Sequence, residues 1–215
     1  MNRSHPPTTA CVLVLPGGKP RSAGRSRPWQ LSNLRMAWLA RALRARLAGR
    51  GIAVERVQYR VRGWNEPERD PVRDAAAVLA DATGRFGDVP VVLVGHSMGG
   101  RVAAHLADHP SVCGIAALAP WWPESDAARI PAGRTLSVAH GAEDRWTDPL
   151  ASRAQTVRAR GRGVNATWVS LTGAGHFLLT KPRWWHQVAA DLVLASLAAD
   201  TESEPAMWES ERCHG

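Results

Sequence analysis

One apolar run constrains this chain more than any other feature of its sequence. Residues Val89 to Val94 carry apolar side chains without alternation, which is typical of a strand buried on both faces of a parallel sheet. Gly95-His96-Ser97-Met98-Gly99 follows at once, and the stretch from Met98 to Asp108 has helical periodicity. A buried strand that turns sharply into a helix is a feature of sheets covered by helices. The sequence therefore predicts an α/β fold.

Short apolar runs alternate with helix-like stretches along the rest of the chain, which predicts a mostly parallel sheet with helices on both faces. The predicted strands are Ala10 to Leu15, Ala53 to Val61, Val89 to Val94, Val112 to Ala119, Thr135 to Ala139 and Ala166 to Leu171. The predicted helices are Ser32 to Ala48, Pro71 to Phe86, Met98 to Asp108, Pro149 to Arg160 and Pro182 to Ala198. We expect one domain over residues 10–198, between a flexible N-terminus (1–9) and an acidic C-terminal tail (199–215).

The net charge of +8 does not indicate a nucleic-acid partner. All but two of the 27 basic residues are arginines, and they are scattered from Arg3 to Arg212 instead of lying on one element. The longest apolar runs are far shorter than the roughly 20 residues that cross a bilayer. We therefore expect a small-molecule partner, with no nucleic acid and no membrane span.

The cysteines favour a reducing compartment. Cys11 and Cys113 lie in apolar runs and Cys213 lies near the C-terminus, an odd number without metal-like spacing. The run from Cys11 to Leu15 is too short for the apolar core of a secretory signal, because Pro16 follows it. These features predict a cytoplasmic protein without a metal site.

Ser97 is the candidate nucleophile. A Gly-x-Ser-x-Gly turn between a strand and a helix holds the serine hydroxyl above the sheet, and the helix N-terminus favours negative charge beside it. A serine hydroxyl needs a general base to take its proton, and that base needs a carboxylate to orient it. We expect both partners downstream, in loops that follow later strands.

His176 is the candidate base. It lies in Gly173-Ala174-Gly175-His176-Phe177, where the glycines allow the loop after the sixth strand to bring an imidazole over the serine. His140 ends the fifth strand and precedes Gly141, so we expect it to be a turn residue that bonds the backbone.

Asp144 is the candidate acid, because it lies in the loop after the fifth strand. Asp148 is the alternative, but it precedes Pro149 at the start of a helix and has a structural role available as an N-cap. Glu143 is a weaker third choice. The predicted triad is therefore Ser97, Asp144 and His176.

Two backbone N–H groups are needed to bind the oxyanion of a tetrahedral intermediate. Met98 follows the nucleophile at the helix N-terminus and is expected to supply one. The other is expected from Leu15-Pro16-Gly17-Gly18-Lys19, the glycine-rich turn after the first strand. Gly18 or Lys19 would be its donor.

These segments together resemble the α/β-hydrolase family of serine esterases and lipases. The resemblance rests on Gly-His-Ser-Met-Gly-Gly at 95–100, His-Gly-Ala-Glu-Asp at 140–144 and Gly-Ala-Gly-His-Phe at 173–177, and it covers Cys11 to Ala198. It implies a six-stranded sheet in the strand order 2-1-3-4-5-6, and an acyl-enzyme mechanism that needs no cofactor. Pro16-Gly17 stands where many relatives have His-Gly.

Many relatives insert a helical cap after the fourth strand, but here Pro120 to Arg134 is only a short loop. An open site without a cap domain is therefore expected. Trp121, Trp122 and Phe177 are candidate substrate-binding residues, although both tryptophans have packing of the loop onto the sheet as an alternative role. So little apolar cover predicts esters of short to medium acyl chains.

Three activities are compatible with these residues. A carboxylesterase would form an acyl-enzyme on Ser97 and release it with water. The same triad could transfer the acyl group to another acceptor, and the same fold could bind a ligand without turnover. We expect ester hydrolysis, because all three members of the triad are present.

Overall fold

A computed structural model describes residues 7–203, which build a six-stranded sheet flanked by helices. The strands are β1 (Ala10–Leu15), β2 (Ile52–Arg56), β3 (Val91–His96), β4 (Val112–Leu118), β5 (Thr135–Gly141) and β6 (Asn165–Leu171). The helices are α1 (Leu31–Arg46), α2 (Asp70–Phe86), α3 (Met98–His105), α4 (Pro149–Arg160) and α5 (Pro182–Ser203), with a short 3₁₀ helix at Asp126–Arg129. Within these residues, no helix combines the length and the apolar character that a bilayer crossing requires.

All neighbouring strands pair in parallel, in the order β2-β1-β3-β4-β5-β6. This confirms the predicted fold class and strand order. Strands β1, β3, β4 and β5 are buried along their whole length, which explains why the runs in β1, β3 and β4 are almost entirely apolar. Because the strands are parallel, the loops after β1, β3, β5 and β6 emerge at the same edge of the sheet.

Each face of the sheet has its own apolar core, because successive side chains of a strand point to opposite faces. On one face, Leu13 of β1 belongs to a cluster with Leu79 of α2 and Val102 of α3. On the other face, Val12 of β1 belongs to a cluster with Met36 of α1 and Trp185 of α5. Helices therefore cover both faces, as predicted.

The second strand is shorter than predicted and ends at Arg56 instead of Val61. Beyond it the backbone leaves β1 and pairs with the loop that follows β1, where the N–H of Arg62 donates to the carbonyl of Gly24 over 2.9 Å. The N–H of Ser26 donates to the carbonyl of Arg60 over 2.9 Å. Of the predicted strand residues beyond Arg56, Tyr59 lines the cleft described below.

The last helix is longer than predicted and ends at Ser203 instead of Ala198. Neither glycine nor proline interrupts the sequence between Pro182 and Pro205, so the helix continues into the first residues of the predicted tail. The rest of that tail (204–215) and the beginning of the predicted flexible N-terminus (1–6) lie outside the described residues.

The segment between β4 and β5 is a short loop with one turn of 3₁₀ helix, so the expectation of a cap-less fold is confirmed. Trp122 anchors this loop. Its side chain is buried, its indole N–H donates to the carbonyl of Gly100 over 3.1 Å, and its own carbonyl accepts a hydrogen bond from the Gln155 side chain. The packing alternative therefore holds for Trp122, which does not line the cleft.

Candidate active site

The turn between β3 and α3 has the strained geometry that a nucleophile elbow requires. Ser97 adopts φ 54° and ψ −118°, a backbone conformation that residues other than glycine rarely adopt. Both flanking glycines allow backbones to touch. A Cβ on Gly95 would lie 2.3 Å from the carbonyl oxygen of Gly99, and one on Gly99 would lie 2.2 Å from that of Leu15. Strand and helix can approach this closely only because neither residue has a side chain.

The three residues predicted as a triad meet at the carboxyl edge of the sheet. His176 Nε2 lies 3.0 Å from Ser97 Oγ, and His176 Nδ1 lies 2.8 Å from Asp144 Oδ2. His176 and Asp144 are buried, whereas Ser97 is partly open to the cleft. Because the carboxylate can only accept, Nδ1 of His176 carries the proton and Nε2 is left as the acceptor for the serine hydroxyl.

Asp144 is held as a carboxylate by an unusually full set of donors. Its Oδ1 accepts the backbone N–H groups of Trp146 and Thr147 over 2.8 and 2.9 Å, and its Oδ2 accepts the Thr147 hydroxyl over 2.8 Å. Burial alone would raise the pKa of Asp144, but hydrogen bonds from His140, His176 and these backbone groups hold it well below its ordinary value. The side chain therefore stays charged beside His176.

His140 is part of this network, so its predicted role as a turn residue bonded to the backbone is wrong. Its Nε2 donates to Asp144 Oδ2 over 3.1 Å, and its Nδ1 lies 2.8 Å from Ser152 Oγ. Asp144 thus accepts from two imidazoles at one oxygen. The spacing of a histidine that ends a strand and an aspartate four residues later was the signal for this contact.

The two predicted alternatives for the acid lie outside the network. Asp148 caps α4, where its Oδ1 accepts the N–H groups of Leu150 and Ala151 over 2.8 and 3.1 Å. Its predicted role as an N-cap is confirmed. Glu143 is exposed and makes no contact with His176 among the described residues.

His96 fixes the loop that carries His176. Its Nε2 donates to the backbone carbonyl of His176 over 2.8 Å, and the two ring centroids are 4.9 Å apart. Burial, and then the charge of His176, lower the pKa of His96 to about 3. The His96 ring is therefore neutral near pH 7, and it holds the backbone of His176 in place. The Gly-x-Ser-x-Gly motif alone places His96 in the turn and does not predict this contact.

The candidate backbone donors for an oxyanion differ in whether their N–H groups already have a hydrogen-bond partner. Met98 is the first residue of α3, so its N–H has no partner within the helix. Lys19 donates its N–H to the carbonyl of Arg62 over 2.8 Å, whereas the N–H of Gly18 has no partner among the described residues. Gly17 packs on Ser97, and a Cβ there would lie 3.3 Å from Ser97 Cβ. Of the two predicted candidates, Gly18 is the one with a free donor.

An open cleft of about 850 Å³ lies above Ser97. Trp121 and Phe177 line it, as predicted, and Trp146 packs edge-on against Phe177 with ring centroids 5.1 Å apart. Much of the wall comes from the segment between β1 and α1 and from the start of α1, where no substrate-binding residue was predicted. The lining residues from these parts of the chain include Lys19, Pro20, Ser26, Trp29, Gln30, Leu31, Ser32 and Arg35.

The family model described as "Alpha/beta hydrolase family" matches residues 12–212. The chain belongs to the alpha/beta hydrolase family. The predicted resemblance is therefore confirmed. Comparison with curated proteins finds no match.

Solved structures share the fold of this alpha/beta hydrolase. A serine hydrolase homologue from Coxiella burnetii is 18% identical, with a TM-score of 0.65 over 88% of this chain and 86% of that one. Est1E from Butyrivibrio proteoclasticus is 16% identical, with a TM-score of 0.63 over 92% of this chain and 91% of that one. A protein of unknown function from Agrobacterium tumefaciens is 18% identical, with a TM-score of 0.68 over 93% and 90%. At identities this low, the TM-scores show a common fold and nothing about function.

The left-handed backbone at Ser97 should affect the free energy of unfolding of this alpha/beta hydrolase. Glycine adopts this conformation at little cost, so Ser97→Gly should have a free energy of unfolding about 1 kcal/mol higher than that of Ser97→Ala. The control is Ala77, which is exposed in the middle of α2, where Ala77→Gly should lower the free energy of unfolding by about 1 kcal/mol. Urea denaturation measures both. A Ser97→Gly protein less stable than Ser97→Ala would contradict the assigned strain.

Proposed function

We propose that this chain is a serine hydrolase that cleaves carboxylic esters through an acyl-enzyme on Ser97. The observation that carries the proposal is the continuous line from Ser97 Oγ to His176 Nε2 (3.0 Å) and from His176 Nδ1 to Asp144 Oδ2 (2.8 Å). The esterase PE8 has the same fold, with a TM-score of 0.62 at 18% identity, which is consistent with the proposal.

Acylation begins when Ser97 Oγ attacks the ester carbonyl while its proton moves to His176 Nε2. The N–H groups of Met98 and Gly18 bind the oxyanion that forms on the carbonyl oxygen. The imidazolium then has Asp144 on one side, and this carboxylate stabilises its charge. Collapse of the tetrahedral intermediate breaks the bond to the alcohol oxygen, which takes the proton from His176 and leaves.

Deacylation repeats these steps with water as the nucleophile. His176 Nε2 takes a proton from the water as its oxygen attacks the acyl carbon, and the same two N–H groups bind the oxyanion. The second intermediate collapses by breaking the bond to Ser97 Oγ. His176 returns its proton to the serine, and the carboxylic acid is released.

The cleft supports a preference for short to medium acyl groups. No cap covers it, and much of its apolar lining is exposed, since Trp29 is 67% and Trp146 is 72% exposed. A short acyl group can be buried against these rings, whereas the remote part of a long chain would remain in water. Only the methylenes that leave water contribute binding energy.

Asp144 and Asp148 provide a matched test of the triad. Asp144→Asn keeps the shape of the side chain but removes the charge that fixes the His176 tautomer, so kcat should fall by about a thousand-fold or more. Asp148→Asn should keep the activity of the wild type, because asparagine caps helices as well as aspartate does. Initial rates on p-nitrophenyl butyrate and a thermal melt of each variant check this. Equal losses of kcat in the two variants would remove Asp144 from the triad.

Acyl-chain length is a second test of the proposal. Each methylene that is buried should raise kcat/KM by about four-fold, from ~0.8 kcal/mol of transfer free energy. We expect kcat/KM on p-nitrophenyl esters to rise over the first few methylenes and then to level off or fall. We also expect no jump in rate at an emulsion interface, because no lid has to open. A rise that continues to long-chain esters, or activation by lipid droplets, would contradict the open cleft.

A further inference from the structure

The catalytic cleft is lined by cations without a matching acidic group. Lys19, Arg35 and Arg62 all contribute to its wall, and no aspartate or glutamate does so in the part of the chain that the structure describes. The nearest functional carboxylate, Asp144, is buried behind His176 and is already saturated with donors. A substrate that enters this cleft therefore meets uncompensated positive charge.

Arg35 is the most specific of the three cations. It projects from α1, and its guanidinium carbon lies 4.9 Å from the ring centroid of Phe177, the residue that follows the catalytic histidine. Its Nε is buried, but this N–H has no hydrogen-bond partner among the described residues. Burial also lowers the pKa of Arg35 from its ordinary value, since the guanidinium has lost part of its hydration. The ring thus packs against a charged group whose Nε–H has no partner among the described residues.

Another arginine of the chain shows what satisfies such a group. Arg101 also lies over an aromatic ring, that of Trp64, at 4.3 Å, and it is more deeply buried than Arg35. Its Nε donates to Asp126 Oδ1 over 2.8 Å. A desolvated guanidinium is stabilised by a planar anion that accepts its forked donors. Arg101 has that anion in the protein, whereas Arg35 has none within the described residues and faces the cleft.

We propose that the ester substrate carries a carboxylate group and that Arg35 binds it. The inference rests on the proposed ester hydrolysis and adds the class of ester. Aromatic side chains, among them Trp29, Trp121 and Phe177, line the same cleft, so the body of the substrate between its ester and its carboxylate is apolar or aromatic. Lys19 and Arg62 add positive charge that attracts the anion without a fixed geometry.

Two matched pairs of esters test this proposal. In one pair the charge is on the leaving group (para-acetoxybenzoate against para-acetoxybenzamide), and in the other it is on the acyl group (the p-nitrophenyl monoester of glutaric acid against p-nitrophenyl pentanoate). The measured quantity is the ratio of kcat/KM for the anionic ester to that for its neutral partner. This ratio is internal to each protein, so it does not depend on the fraction that folds.

In at least one pair, the wild type should prefer the anionic ester, and Arg35→Met should lower the ratio by about ten-fold or more, as expected for a lost charge-assisted hydrogen bond. Arg41→Met is the control. Arg41 is exposed on the same helix and does not line the cleft, so its removal should leave the ratio as in the wild type. An unchanged ratio in both pairs for Arg35→Met would overturn the proposal, while turnover of the neutral esters would leave ester hydrolysis intact.

A binding measurement separates this inference from the proposed function. If no ester were hydrolysed, the proposed function would fail, but calorimetry with para-hydroxybenzoate would still test Arg35. The Ser97→Ala protein should bind this carboxylate about ten-fold more tightly than the Ser97→Ala, Arg35→Met double variant does. Equal affinities would overturn the assignment of Arg35 as an anion site.

Discussion

The close crossing of β3 and α3 is the constraint on which the rest of this structure depends. Gly95 and Gly99 let the backbone turn within a few ångströms of β1, and Ser97 is held between them in a left-handed conformation. Surrounding contacts must offset a strain of about 1–3 kcal/mol. The buried strands on both sides of β3 provide them, since they fix the position of the turn. The serine hydroxyl is thereby presented to the cleft before any substrate binds.

The second element of the site is a carboxylate that the protein keeps charged in a buried position. Taking Asp144 out of water is unfavourable, and two backbone N–H groups, two imidazoles and a hydroxyl compensate for it. This arrangement fixes the orientation of His176 from one side, while the hydrogen bond from His96 fixes its backbone from the other. Ring and loop are thus held independently, which is the kind of preorganisation that acyl transfer requires.

Local sequence patterns predicted the parallel sheet and the three central residues, because each depends on a short motif beside a buried strand, whereas the strand order came from the resemblance to the α/β-hydrolase family. They did not predict the role of His140, since its contact with Asp144 depends on how the loop after β5 folds back. Trp121 and Trp122 are adjacent and chemically identical, yet one lines the cleft and the other is buried under the loop. The wall formed by Trp29 and Arg35 was missed for a similar reason, because Trp29 lies in a loop without periodicity and the periodicity of α1 does not show that Arg35 faces the cleft.

The proposed ester hydrolysis requires that Ser97 is the nucleophile and that His176 and Asp144 activate it. The most direct measurement is covalent labelling with a fluorophosphonate, followed by mass spectrometry of the intact protein and of its peptides. We expect a single adduct on Ser97 in the wild type, no adduct in Ser97→Ala, and much slower labelling in a variant that lacks the His176 imidazole. An adduct that persists in Ser97→Ala, or a wild-type protein that stays unlabelled, would contradict it.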